Sequence, residues 1–508
     1  MSIPLLGLLL SLLGLGTISA EDCLARDYGN NGTVCVCNAD QCDTIARVQT
    51  LSEGSYLLYT SNMAGLRFQI DNGTFSELST TSENRIIIDQ DDSYQEILGW
   101  GGAFTDATGI NINSLSSGAK EKLMRSYFSE DGLEYSLCRV PIGGTDFSTH
   151  GYTYVDETEP DVELTTFALT DEDYQLKIPL IREAFNLTDN NLRLFASAWT
   201  APKWMKLNGA YSGLLGFLKS AMYQPWANYF LKFLEAYDSE NIPFWGITTG
   251  NEPSLGFFPI EIPSVAWTFT QMRIWIRTNL GPTLRNSPYS NITIMALDDQ
   301  RIFLPWYIDG LFLNSDVRNY IDGIATHWYW DDIIPPSMLT TTHDTYPEKF
   351  LLATEACVGD GDDISVVLGS WSRGEQYVFS IIEYVNHWTT GWLDWNMALD
   401  ETGGPTYINN NVDSPIIVNA SADEFYKQPM YYGIGHFSKF VPRGSVKISC
   451  SQFASDVPTT AFKRPDGGVV VVILNQRDEE VPVVIADATR GEVNLNLSAR
   501  SFTSVLYW

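Results

Sequence analysis

Across residues 97–399 short apolar runs alternate with longer stretches in which apolar side chains recur every three or four positions. The short runs cover 97–104, 135–144, 192–202, 244–253, 292–300, 321–329, 350–358 and 391–399. Runs with so little polar alternation read as strands buried on both faces, and the amphipathic stretches between them, such as 116–128, 171–185, 226–237, 265–280 and 375–388, read as crossover helices. Buried strands separated by helices pair in parallel, and eight of them predict a (β/α)₈ barrel, an α/β fold.

The flanks have a different texture. Short β-type runs at 459–463, 468–474, 482–485, 493–497 and 501–508 fill the C-terminal end, with Pro465-Asp-Gly-Gly468 as a hairpin turn. Strands at 55–60 and 66–71 give the N-terminal end the same character. The economical expectation is one β-sandwich built from both ends: residues 21–95 and 443–508, with the barrel at 96–442 between them.

Polar residues gather where the predicted strands end. Thr105-Asp106, Arg139, Trp199-Thr200, Asn251-Glu252, Asp298-Asp299, His327 with Tyr329, Glu355, and Asp394-Trp395-Asn396 all fall there. In a barrel of this kind the C-terminal strand ends form the active-site mouth. Glu252 closes the fourth strand and Glu355 the seventh, across the mouth from each other. A carboxylate ending a buried strand is costly unless it is hydrogen-bonded or used. Either one alone is as readily a structural ion-pair partner at the rim. Together they suit glycoside cleavage, in which one carboxyl protonates the leaving oxygen and the other attacks the anomeric carbon or activates water. Trp199 and Trp395 at the same level offer ring faces for a sugar, whereas Trp328, opposite in phase to His327 and Tyr329, belongs to the core.

Composition narrows the partners. The 508 residues carry 62 acidic against 31 basic side chains, a formal charge of −31, which disfavours nucleic acid and suits a surface working at low pH. An apolar segment at 5–16 followed by Thr17-Ile-Ser-Ala20 predicts a signal peptide over residues 1–20, and no later run is long enough to span a bilayer. Behind such a leader Asn31, Asn72, Asn186, Asn291, Asn419 and Asn496 are glycan acceptor sequons. Cys23, Cys35, Cys37 and Cys42 most simply form two bridges in sequence order, the rival being a zinc knuckle. Cys357 beside Glu355 reads as a packed thiol, not a nucleophile. There is no GxGxxG, P-loop, GxSxG or HExxH pattern, so neither cofactor nor metal is expected.

Longer motifs then carry a resemblance. Trp100-Gly-Gly-Ala-Phe-Thr-Asp106, Ala198-Trp-Thr-Ala-Pro-Lys-Trp204, Asn251-Glu-Pro253, His327-Trp-Tyr329, Glu355-Ala-Cys-Val-Gly359, Gly391-Trp-Leu-Asp-Trp-Asn396, Val412-Asp-Ser-Pro-Ile416 and Gly435-His-Phe-Ser-Lys-Phe440 resemble the glucosylceramidase (lysosomal acid β-glucosidase) family over residues 23–508. The resemblance implies retaining hydrolysis of β-glucosyl ceramide, with Glu355 as nucleophile and Glu252 as acid/base. It further implies glucose binding by Asp106, Trp199, Asn251, Trp395 and Asn410, with His327 and Tyr329 around the nucleophile. It implies the two N-terminal disulfides, a lysosomal setting, and a glycolipid substrate at a membrane surface assisted by anionic phospholipid and a saposin-type activator. A carboxyl separation of about 5–5.5 Å is the matching expectation for retention. Two departures bear on the substrate. The loop Ser254-Leu-Gly-Phe-Phe-Pro-Ile-Glu-Ile-Pro263 differs from ceramide-handling members, and the acidic balance opposes anionic lipid unless a local basic patch compensates. A steryl glucoside, β-1,6-glucan or β-xyloside, or a non-catalytic sugar-binding role, are the alternatives.

Overall fold

A computed structural model describes residues 21–79, 84–156, 159–359, 361 and 364–508. The expected signal peptide lies outside them, as do Asp360, Asp362 and Asp363.

Eight parallel strands close into a barrel: β1 Gly99–Ala103, β2 Leu137–Pro141, β3 Arg193–Ser197, β4 Gly246–Thr248, β5 Thr293–Gln300, β6 Gly323–His327, β7 Phe350–Glu355 and β8 Thr389–Asn396. Each falls within its sequence-predicted run or within two residues of it. The period-2 geometry of a strand explains how one sequence supplies both floor and site. Leu137 on β2, Phe195 on β3 and Ala325 on β6 pack with Met295, Leu352 and Leu393 as an apolar floor. Two residues on, the same strands turn Arg139, Ser197 and His327 inward, all fully buried. Polar chemistry thus sits on an apolar plug. Gly101 lets β1 lie against β2, because a Cβ there would fall 1.8 Å from the Leu137 carbonyl oxygen.

A nine-stranded sheet takes Ser55–Asn62, Gln69–Thr74 and Arg85–Glu96 from the N-terminal end and six strands from Val446–Cys450 to Ser501–Tyr507. Its strands alternate between two cores. Val469, Val471 and Ile473 face the sandwich interior, while Val470, Val472 and Leu474 join the main core of the barrel. The Pro465–Gly468 hairpin joins Thr459–Lys463 to Val469–Asn475, with Gly467 at φ +85°.

The N-terminal segment does not enter this sandwich whole. Ala25–Asp27 and Thr33–Cys37 form a separate five-stranded sheet with Glu424–Lys427, Ile416–Asn419 and Ala398–Asp400, strands that leave the barrel after β8. Thr33–Cys37 pairs locally with Ala25–Asp27 but also with Glu424–Lys427, nearly 400 positions away, and local patterning carries no signal of that second pairing. The disulfides Cys23–Cys35 and Cys37–Cys42 staple this sheet, with Cα separations of 5.1 and 4.4 Å, which leaves no thiolates for a zinc knuckle. Five sequon asparagines are exposed. Asn419 is half-buried, and its amide donates to the Tyr426 hydroxyl at 3.2 Å. Among the described residues no helix is long and apolar enough to cross a membrane.

Candidate active site

Glu252 stands four residues beyond the end of β4, in the left-handed backbone region at φ +39°, with its N–H donating to the Asp298 carbonyl at 2.9 Å. Such a conformation costs about 1 kcal/mol or more for a non-glycine residue and persists where the surroundings fix it. Gly250, at φ +127°, makes the approach to it. On β5 a bulge at Leu297 and Asp298, with φ +78° and +54°, breaks the alternation and buries both Asp298 and Asp299 toward the site.

The two glutamates are held differently. Glu355 uses both oxygens as acceptors, Oε2 from the Arg139 guanidinium and Oε1 from the Tyr329 hydroxyl at 2.8 Å, the pattern of a carboxylate. Burial pushes the Glu355 carboxyl up, while the His327 and Arg139 charges pull it back. Glu252 receives both of its bonds on Oε1, from Gln300 Nε2 at 2.7 Å and His327 Nδ1 at 2.9 Å; among the described residues Oε2 accepts none. That oxygen is free to carry a proton. One oxygen of each glutamate and a ring nitrogen of His327 lie within 4.8 Å of one another. A cation would find no free donor set there. His327 spends both nitrogens on carboxylates, and Arg139 already neutralises Glu355.

Asp298 anchors the cluster from below. It accepts from Arg139 Nη2 at 2.8 Å, Ser197 Oγ at 2.6 Å, Thr354 Oγ1 at 2.7 Å and His327 Nε2 at 3.1 Å, and these partners hold its carboxyl far below the usual range. His327, wedged between Asp298 and Glu252 and near Glu355, is pushed up to about 10 despite burial. It is an imidazolium at acid and neutral pH, donating to both carboxylates.

A family model described as the glycosyl hydrolase family 30 TIM-barrel domain matches residues 97–441, and the family 30 beta sandwich domain matches residues 444–505. The chain belongs to glycosyl hydrolase family 30. It is 42% identical to the lysosomal acid glucosylceramidase of Mus musculus, over 93% of this chain and 93% of that protein. It is 41% identical to putative glucosylceramidase 4 of Caenorhabditis elegans, over 94% and 93%. Among solved structures, SrfJ from Salmonella typhimurium superposes with a TM-score of 0.83 at 26% identity, covering 89% of this chain and 99% of that one.

In this family 30 glycoside hydrolase, a cleft of about 260 Å³ opens over the pair and is lined by Trp199, Glu252, Tyr329, Glu355, Trp395 and Asn410 among others. Trp199 and Trp395 stack at 4.9 Å, with the Arg139 guanidinium 4.5 Å from the Trp199 ring. Asn251 turns its Oδ1 to Arg139 Nη2 at 2.7 Å and, like His327, is buried outside the cleft lining. Trp328 packs edge-on against Tyr377 and Trp392, as core. Cys357 lines the cleft with its Sγ 3.3 Å from the Tyr329 hydroxyl.

Two of the expected sugar ligands, Asn251 and Asp106, stand outside the cleft lining, and a carboxylate not among the expected ligands lines it. Asp106, the first residue of the helix Asp106–Asn113, directs its Oδ2 into a buried cluster with Ser148 and Tyr152, with Lys177 behind. Its Oδ1 is buried and accepts no hydrogen bond among the described residues. The carboxylate that lines the cleft is Asp146, whose Oδ2 accepts from Asn410 Nδ2 at 2.8 Å. Asp146 lies five residues past the end of β2, in a loop without periodicity; Gly143-Gly-Thr-Asp146 directly after a buried strand was the available signal.

The buried acids set a pH dependence of stability. Desolvation pushes Asp146, Asp299, Asp331 and Glu375 each up to about 7. Their unfolded values lie near 4, so the folded chain holds more protons between about pH 4 and 7 and loses stability as pH rises through that window. His327 adds to the trend, since its raised pKa makes a contribution that is lost from about 6.5 up to about 10. The thermal midpoint is expected to be higher at about pH 5 than at about pH 8 by calorimetry. An equal or lower midpoint at the acid pH would contradict it.

Proposed function

We propose that this family 30 hydrolase is a retaining β-glucosidase that cleaves glucosylceramide to glucose and ceramide. The observation that carries retention is the pair itself, with facing oxygens within 4.8 Å. Retaining enzymes hold their carboxyls about 5–5.5 Å apart, whereas inverting ones need about 6.5–9.5 Å to admit a water. In the first step a Glu355 oxygen bonds to the anomeric carbon as the bond to the aglycone oxygen breaks, and Glu252 gives that oxygen its proton. In the second step Glu252 takes a proton from water, the water oxygen bonds to the anomeric carbon, and the bond to Glu355 breaks. His327 and Arg139 stabilise the carboxylate that each step leaves behind. Asp146 and Asn410 are placed to bind sugar hydroxyls, and the Trp199–Trp395 pair to pack on the ring.

An apolar cavity supports a lipid aglycone. It measures about 610 Å³, is walled by Phe257, Phe258, Trp267, Phe269, Phe303 and Trp306, and shares Ser254, Asp299 and Trp330 with the catalytic cleft. A soluble glucan would gain nothing from such walls, while burying alkyl chain is worth about 0.8 kcal/mol per methylene. The segment 203–222 beside it has no Asp or Glu, carries exposed Lys203 and Lys219, and exposes Leu207, Leu214 and Leu215. This is the local basic, apolar edge that lets an acidic protein meet a glycolipid in an anionic bilayer. Likeness to the mouse lysosomal enzyme, the two disulfides and the elevated buried carboxyls support an acidic lumen reached through the secretory route.

Replacing Phe258 and Trp306 together by serine tests the aglycone assignment. The expected result is a KM for glucosylceramide in mixed micelles raised about 10- to 100-fold, as the loss of two apolar contacts predicts, with KM for an aryl β-glucoside within about threefold. No turnover of glucosylceramide by the unaltered enzyme, with good turnover of a β-1,6-glucan or β-xyloside, would overturn the substrate.

A further inference from the structure

The turn at 142–152 forms one edge of the cleft, and its fastenings converge on Asp106. Asp106 Oδ2 accepts from the Ser148 hydroxyl at 2.6 Å and the Tyr152 hydroxyl at 3.0 Å. The Ser148 oxygen in turn receives the Thr145 N–H at 3.0 Å, and the Thr145 hydroxyl receives the Phe147 N–H at 2.9 Å. From the other side, the Phe147 carbonyl accepts the Ala107 N–H at 2.9 Å, and the Tyr152 carbonyl accepts the Gly144 N–H at 3.1 Å. Asp146, the residue between these ties, reaches the cleft and Asn410, while Phe147 meets the Trp395 ring edge-on at 6.0 Å.

Behind Asp106 stands Lys177, fully buried. Its ammonium lies 3.6 Å from Asp106 Oδ1 and 2.9 Å from Asp173 Oδ1, and it donates to the Tyr152 hydroxyl at 3.2 Å. Asp173 also accepts from the hydroxyls of Tyr154 and Tyr237, at 2.8 and 2.6 Å. Burial pushes the Asp106 carboxyl up, and the Lys177 charge pulls it back. Such clusters are seldom worth their desolvation as stabilisers, and an apolar core of the same volume often serves as well. What an apolar core could not supply is a fixed acceptor for the Ser148 and Tyr152 hydroxyls.

We propose that Lys177 is a positioning residue for glycone recognition: it holds Asp106 and Tyr152 in place, and through them fixes the 142–152 turn so that Asp146 and Phe147 stand against the sugar. The proposal rests on the reading of Asp146 as a sugar ligand. Lys177 acts through Asp106, at a remove from the substrate.

The test is a double-mutant cycle on the full-length enzyme. It is read by the inhibition constant of an aza-sugar that mimics the glycone and has no aglycone. Lys177→Met, which keeps an unbranched side chain one atom shorter and removes its charge, is expected to weaken inhibition about 10- to 100-fold, the scale on which a misplaced group acts. Asp146→Ala should weaken it by a similar factor, the worth of a hydrogen bond to a charged group. In an Asp106→Asn background, where the ammonium keeps only Asp173 as a carboxylate partner and no longer holds position 106 by charge, Lys177→Met should add less than about threefold, since the effect of both changes on the turn runs through one contact. Should Lys177→Met fail to fold, Lys177→Met with Asp173→Asn leaves one fewer buried charge unpaired and is expected to show the same weakened inhibition. Full additivity with Asp106→Asn, or a lowered thermal midpoint with inhibition unchanged, overturns the positioning role and leaves the site reading standing. If Asp146→Ala itself leaves inhibition unchanged, the sugar-ligand reading falls and takes the proposal with it.

Discussion

Glu355→Gly is expected to lower kcat for an aryl β-glucoside by about 10⁴-fold or more, the scale on which losing a catalytic nucleophile acts. That factor corresponds to roughly 5.4 kcal/mol of transition-state stabilisation. The fold should survive, because Arg139 keeps Asp298 as an ion-pair partner at 2.8 Å and Asn251 as an acceptor at 2.7 Å. The vacated space beside the anomeric carbon then admits a small anion. Added azide should restore turnover and yield the α-glucosyl azide, since it attacks from the face that Glu355 occupied and nothing displaces it afterwards. A Glu355→Gly protein with more than about a tenth of the activity would remove Glu355 from the nucleophile's place.

Glu252→Ala should fail differently. Ceramide leaves as a poorly stabilised alkoxide and needs the proton, so turnover of the glycolipid should fall about 10²- to 10⁴-fold. A dinitrophenyl glucoside needs no proton to leave. It should still form the glucosyl-enzyme at near-normal rate and then stall, giving a burst equal to the enzyme concentration followed by slow release. Azide should accelerate that release and give the β-glucosyl azide, because it takes the water's place on the face opposite Glu355. The two variants thus produce opposite anomers. Loss of the burst, or an α-azide product from Glu252→Ala, would contradict the division of labour.

The barrel was legible because its signal is local: eight buried runs in one phase, each ending in polar side chains, suffice to count strands and place Glu252 and Glu355 across the mouth. Arg139 and His327 were visible as inward positions of β2 and β6 for the same reason. The sequence could not show that Asp298 and Asp299 both turn inward, because a bulge at Leu297 breaks the alternation that strand patterning assumes. Nor could it separate Asp106 from Asp146. Both are aspartates just past a strand, and only the closure of the 142–152 turn onto Asp106 and onto Asn410, 264 positions away, decides which one lines the cleft. The extra five-stranded sheet was illegible on similar grounds, because the pairing that joins its two halves, Cys35 to Cys37 with Phe425 to Lys427, is made at long range.

Retention by this pair requires a covalent bond between the sugar and Glu355. Incubating the enzyme at acid pH with a 2-deoxy-2-fluoro-β-glucosyl fluoride, whose C2 fluorine slows both steps while its fluoride leaving group keeps the first one fast, should trap that species. Peptide mass spectrometry of the inactivated protein should then show a fluoroglucosyl adduct on Glu355. An adduct on Glu252 or any other residue, or full inactivation with no covalent sugar, would contradict it.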